Sequence, residues 1–93
     1  MDAVGFRRTL SSDDPPRGMP APLAALWWDA KGNRARAHAL VDELETQAGM
    51  AVDAYLHRKE GQQWNAEYWY KRSGRQFQRG QLEDEWAALA EGL

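Results

Sequence analysis

From Pro20 onward, apolar residues recur at helical spacing. Leu23, Leu26, Trp27 and Ala30 stand at i, i+3, i+4 and i+7, one face of a helix. Pro20 and Pro22 suit its first turn, where an N–H has no partner to lose, and Gly32 stops it. Asn33 is placed to cap a second helix whose stripe is Ala37, Leu40, Val41, Leu44 and Ala48 and which ends at Gly49. A third helix is expected over roughly 50–60, with Ala51, Val52, Tyr55 and Leu56 on one side, broken by Gly61. A fourth, over about 63–73, carries Ala66, Trp69, Tyr70 and Ser73 and is closed by Gly74. After a short basic link from Arg75 to Gly80, Leu82, Trp86, Leu89 and Leu93 mark a fifth. Asp84 and Glu85 lie in its first turn, where the helix dipole favours negative charge. Links of two to four residues force neighbouring helices to lie antiparallel. Residues 1–19 show no helical period and hold Asp13-Asp14-Pro15-Pro16, so they read as an extended or flexible arm; Phe6 and Leu10 are the residues that would dock it on the body. The expectation is an arm over 1–19 followed by one all-α domain over 20–93, a small stack of antiparallel helical hairpins with about five helices.

Composition sharpens the fold class. Ile is absent, and three Val and two Thr are the whole β-branched supply, against fifteen Ala and nine Leu. A branched Cβ crowds the preceding helical turn and suits a strand, so this balance argues for helices. The absence of Cys excludes a disulfide framework, a thiolate metal site and Cys nucleophile chemistry. No apolar run approaches the roughly 18 residues of a membrane span, and no secretory layout opens the chain. A cytoplasmic protein of bacterial type, without membrane contact, is the expectation. A net charge of −2 gives no general reason to seek nucleic acid or anionic lipid.

The chain is internally similar at an offset of 29 residues. Gly32-x4-Ala37-x3-Val41-x2-Leu44 parallels Gly61-x4-Ala66-x3-Tyr70-x2-Ser73. Each pattern puts a Gly in a hairpin turn, a small residue where two helix backbones approach, and a bulky residue one turn later. With Ala25 and Trp28 ahead of the first Gly, and Ala54 and His57 ahead of the second, this resembles a tetratricopeptide or Sel1-like helical hairpin. The period is shorter than usual, and Gly49 and Gln78 fall where such repeats place a Pro. The stretch Ala54-Tyr55-Leu56-His57-Arg58-Lys59-Glu60-Gly61, with Asn65-Ala66-x-Tyr68-Trp69-Tyr70-x-Arg72-x-Gly74-Arg75, also resembles a group of short bacterial proteins of unassigned function. That resemblance covers about 20–91 and implies the fold without an activity.

Candidate chemistry is sparse. The two histidines, His38 and His57, have carboxylates at helical spacing, His38/Asp42 (i, i+4) and His57/Glu60 (i, i+3), but no HExxH or paired ExxH set is present, and no metal or other cofactor is expected. Ser11 and Ser12 lie in the arm and Ser73 on a packing stripe, so no catalytic residue is named and the expectation is against an enzyme. Trp27, Tyr55, Trp69, Tyr70 and Trp86 fall on apolar stripes as core, whereas Trp28, Trp64 and Tyr68 lie beside them and are candidates for a binding surface. Residues 57–79 carry six basic side chains against two acidic ones, and 80–93 carry four acids and no base. Arg and Lys interleaved with Trp64, Tyr68, Trp69 and Phe77 offer a grip on single-stranded nucleic acid. The favoured reading is instead that the acidic last helix folds back and neutralises the basic segment.

The sequence therefore points to a non-enzymatic interaction module that engages a protein or peptide, or a second copy of itself, on a helical-hairpin surface. By the repeat resemblance its inner face would be lined by Leu26, Asp29, Tyr55 and Arg58. The alternative is a small-molecule or anion site at the helix corners near Gly61, built from His57, Arg58, Asn65, Tyr68 and Arg72. Trp28, His38, Tyr55, His57, Arg58, Asn65, Tyr68 and Arg72 are the candidate binding residues.

Overall fold

A computed structural model of the chain describes residues 3–75 and 80–93. Phe77, Gln78 and Arg79 of the basic link lie outside the described residues. The described chain forms six α-helices, α1 (Ala3–Arg8), α2 (Ala21–Ala30), α3 (Arg34–Val41), α4 (Gln47–Lys59), α5 (Gln63–Ser73) and α6 (Leu82–Gly92), with a 3-10 turn at Thr9–Ser11 and no strand among them. No helix among the described residues is long and apolar enough to cross a membrane.

α2 and α3 form one hairpin and α4 and α5 a second, and the turns of the two are built alike. At the first, Gly32 N donates to Asp29 O (2.9 Å) and Asn33 N to Trp28 O (2.9 Å); at the second, Gly61 N donates to Arg58 O (3.1 Å) and Gln62 N to His57 O (2.9 Å). These paired bonds satisfy carbonyls that the ending helix leaves free, and they need a left-handed residue at the turn. Gly32 (φ 83°) and Gly61 (φ 77°) supply it. Asn33 caps α3 as expected, its side chain accepting from Arg36 N at 3.1 Å. Within each hairpin one alanine from each helix is buried without exposed surface in the same apolar cluster, Ala25 and Ala37 in one and Ala54 and Ala66 in the other. Tyr70 fills the space that the alanines of the second hairpin leave.

Three expectations are corrected. The second predicted helix does not run to Ala48: it ends at Val41, and α4 begins at Gln47 behind Thr46, whose side chain accepts from Gly49 N at 3.0 Å. Glu45 would have stood in the last turn of a helix continued to Ala48, where a carboxylate is unfavourable. Gly49 is therefore not a stop but a buried position in the first turn of α4, against which the 42–46 link folds closely.

The second correction is the arm. Residues 3–11 are helical, and Phe6 is completely buried, its ring centroid 5.2 Å from that of Trp86. Trp27 Nε1 donates to Thr9 Oγ1 (3.1 Å), and Lys31 Nζ donates to the carbonyls of Leu10 (2.8 Å) and Ser12 (3.0 Å). A short helix of this length is unstable alone; burial of Phe6 and these three polar contacts hold it.

The third concerns the inner face. α6 lies across α2 and α4 and meets α1, with Trp86 Nε1 donating to Leu26 O (3.2 Å). Leu26, Asp29 and Tyr55, expected to line an open concave surface, are buried. The face that the first helices of the two hairpins present is partly covered by the chain's own last helix, which leaves a cleft beside Asp29 and Tyr55.

Candidate functional site

α3 and α4 bring both histidines to one corner. α3 supplies His38 and Asp42, α4 supplies Asp53 and His57, and Glu60 follows the last turn of α4. The ring centroids of His38 and His57 are 5.2 Å apart. The His38/Asp42 pair expected from spacing is present, Nδ1 to Oδ1 at 3.0 Å. His57 and Glu60 do not pair: the Glu60 carboxylate meets His38 Nε2 instead, and His57 Nδ1 is held by the side-chain carbonyl of Gln62 at 2.6 Å. Arg34 stands 3.7 Å from Glu60. The remaining nitrogen, His57 Nε2, lies 3.3 Å from Asp53 Oδ1, and His38 Nδ1, already bonded to Asp42, lies 3.6 Å from the same oxygen.

Asp53 is the anomaly of the corner. Its side chain is only 2% exposed, and Oδ1 has no hydrogen-bond partner despite two imidazole nitrogens nearby. A buried polar atom without a partner is costly, so it marks a place where something other than packing is at stake. Burial and then the negative charge of Asp42 push the Asp53 carboxyl up to about 6, while His57 and His38 pull it the other way. For His38 burial works against the charged form, but the hydrogen bonds and charges of Glu60 and Asp42 outweigh it and raise the pKa. The corner is an acceptor-rich pocket around two imidazoles, the reverse of an anion site. Sequence reading passed over Asp53 altogether. Its signal was there: a carboxylate inside the apolar run Met50-Ala51-Val52-Asp53-Ala54-Tyr55-Leu56, four residues before a histidine.

The other expected binding residues are dispersed. Arg58 turns away from the corner: its Nη1 donates to Glu85 Oε1 at 2.8 Å and its Nη2 to the Gly80 carbonyl. Glu85, buried in α6, also accepts from the Tyr70 hydroxyl, so this trio joins α4, α5 and α6. Tyr55 is buried, its hydroxyl donating to Asp29 Oδ2 (3.3 Å), while Lys59 Nζ donates to Asp29 Oδ1 (3.0 Å). These two contacts satisfy the polar wall of a cleft of about 490 Å³ between α2, α4 and α6, closed on one side by Arg7 and Leu10. Asn65 reaches the corner only through Gln62 (3.5 Å). Trp28 is half-buried, edge-on to Trp27, with the Arg36 guanidinium 4.5 Å above its ring.

α5 packs chiefly on α4 and leaves its outer side open. Trp64 is 87% exposed and Tyr68, one turn later, 54%. Lys71 and Arg72 continue the same side, both exposed and, among the described residues, in no ion pair, whereas Arg75, beyond the left-handed Gly74, lies beside Arg58 and the start of α6. The Arg72 guanidinium lies 5.7 Å from the Tyr68 ring centre and 5.1 Å from that of Trp69. Neutralisation of the basic segment by α6 thus amounts to the Arg58–Glu85 pair among the described residues. Comparison with protein-family models, with curated proteins and with solved structures returns no match.

Proposed function

We propose that this chain is a non-enzymatic interaction module, and that its docking surface is the outer side of α5 rather than the inner face of the hairpins. The observation that carries the reading is Trp64, a large ring almost wholly in solvent, followed at helical spacing by Tyr68 and Arg72. Trp, Tyr and Arg are the residue types that anchor protein interfaces, and an exposed indole costs solubility unless something covers it. The aromatic start and the basic continuation, Lys71 and Arg72, fit a partner segment with apolar residues at one end and carboxylates at the other. A net charge of −2 over the chain argues against single-stranded nucleic acid as the occupant.

The test is an array of amphipathic acidic peptides probed with the full chain. Binding should fall tenfold or more, roughly 1.4 kcal/mol or above, in Trp64→Ala and in Arg72→Glu, and stay unchanged in Arg17→Ala. Sedimentation of the chain alone covers the self-association reading: a dimer that dissociates in Trp64→Ala makes a second copy the occupant. Equal peptide binding by the parent and Trp64→Ala, or tight salt-sensitive binding of single-stranded DNA lost in the same variants, overturns the proposal.

A further inference from the structure

We propose that His38, Asp53 and His57 bind one divalent transition-metal ion of the zinc class, with Asp42 completing the coordination on the solvent side. His38 Nδ1, Asp53 Oδ1 and His57 Nε2 all lie within 4.8 Å of one another. The two edges that meet at Asp53 measure 3.3 and 3.6 Å. Tetrahedral bonds of about 2.0–2.1 Å place neighbouring donors about 3.3 Å apart, so small ring movements close the site.

Each ring is already held from behind. Glu60 takes His38 Nε2–H and Gln62 takes His57 Nδ1–H. His57 Nε2 then faces Asp53, while His38 Nδ1 lies between Asp42 at 3.0 Å and Asp53 at 3.6 Å, so the ion replaces the proton that Nδ1 now shares with Asp42. Carboxylate and carbonyl acceptors on the far nitrogen are how ligating histidines are oriented and kept in the right tautomer. The unpartnered Asp53 Oδ1 is the second, independent sign: it is buried, it points between the two rings, and it hydrogen-bonds to neither. A bound cation gives that oxygen the partner it lacks. Asp42, Asp53 and Glu60 gather three carboxylates here, with Arg34 the one permanent cation in contact with them among the described residues. Two imidazoles with one or two carboxylates select zinc, cobalt or nickel over magnesium or calcium, which prefer all-oxygen cages. The ion would tie α3 of the first hairpin to α4 of the second, independently of the α5 surface.

The experiment is a titration of the untagged full chain with Zn²⁺ and with Co²⁺ at neutral pH, read by calorimetry and by the visible spectrum of the cobalt form. One equivalent should bind, with the intense visible bands of four-coordinate cobalt and a higher melting temperature. Asp53→Asn and His57→Asn should abolish the saturable phase. Glu60→Gln, a positioning change, should weaken zinc about 10- to 100-fold while leaving the stoichiometry at one. Circular dichroism of the metal-free variants guards against loss of fold. In the parent chain, ¹H–¹⁵N spectra of the imidazoles give a second reading, with both rings shifting together at one equivalent of zinc. Absence of a saturable one-to-one phase in the parent, or zinc affinity unchanged in folded Asp53→Asn, overturns the proposal.

Discussion

A methyl group on Gly49 would stand 2.6 Å from the carbonyl oxygen of Leu44 and 2.9 Å from its Cγ. The nearer contact is backbone, which cannot swing aside, so the 42–46 link must lift away from α4. Gly49→Ala should therefore destabilise the fold by about 1–3 kcal/mol, despite the better helix propensity of Ala. Thermal unfolding followed by circular dichroism should show a midpoint lower by roughly 4–8 °C per kcal/mol in a chain of this size. The same residue shows why the second helix was misread. In sequence, Leu44 and Ala48 continue the Ala37–Val41 stripe in phase, and a glycine after a stripe reads as its stop. The deciding facts were the Thr46 cap and the close approach of the link, and only the second depends on tertiary structure. Asp53 was hidden for a related reason: a charge on an apolar stripe reads as surface until the neighbouring hairpin covers it.

The helices themselves were largely legible. Stripes, caps and left-handed glycines are local signals, and they placed α2, α5 and α6 and both hairpin turns. α1 was not, because six residues cannot show a period and its stability comes from Trp86, 80 positions away in sequence from Phe6. That difference is measurable. If residues 3–11 dock through Phe6, Phe6→Ala should cost about 3–5 kcal/mol, the range for a fully buried aromatic, whereas a free arm would cost nothing. Denaturant melts of the two chains decide between these outcomes. Arg58 illustrates the same limit at the functional end: its place beside His57 in sequence suggested a shared pocket, but successive helical residues diverge by about 100° around the axis, and Arg58 faces α6.

Across the whole molecule, two buried phenols tie distant elements through carboxylates, Tyr55 to Asp29 and Tyr70 to Glu85. Burial first, and then the hydrogen bond and charge of the partner carboxylate, raise both hydroxyls above the ordinary 10.0. The unfolded chain gives up these protons near pH 10 while the folded chain keeps them. The stabilisation is thus intact below about pH 10 and is lost as the pH rises beyond it. Melting midpoints should hold on the mildly alkaline side and then fall, with a shallower fall in Tyr70→Phe. The candidate corner was legible in part at this scale. The two histidines and their carboxylates were visible as separate i, i+3 and i, i+4 pairs; that α3 and α4 set them side by side was not, since it depends on how one hairpin seats against the other. α6, resting on α2 and α4 with its indole bound to Leu26, is the last described element to leave the ribosome during synthesis. Until it emerges, the nascent chain lacks the cover that α6 gives α2 and α4 around Leu26 and Tyr55, and that interval is when chaperones that recognise apolar stretches should hold it.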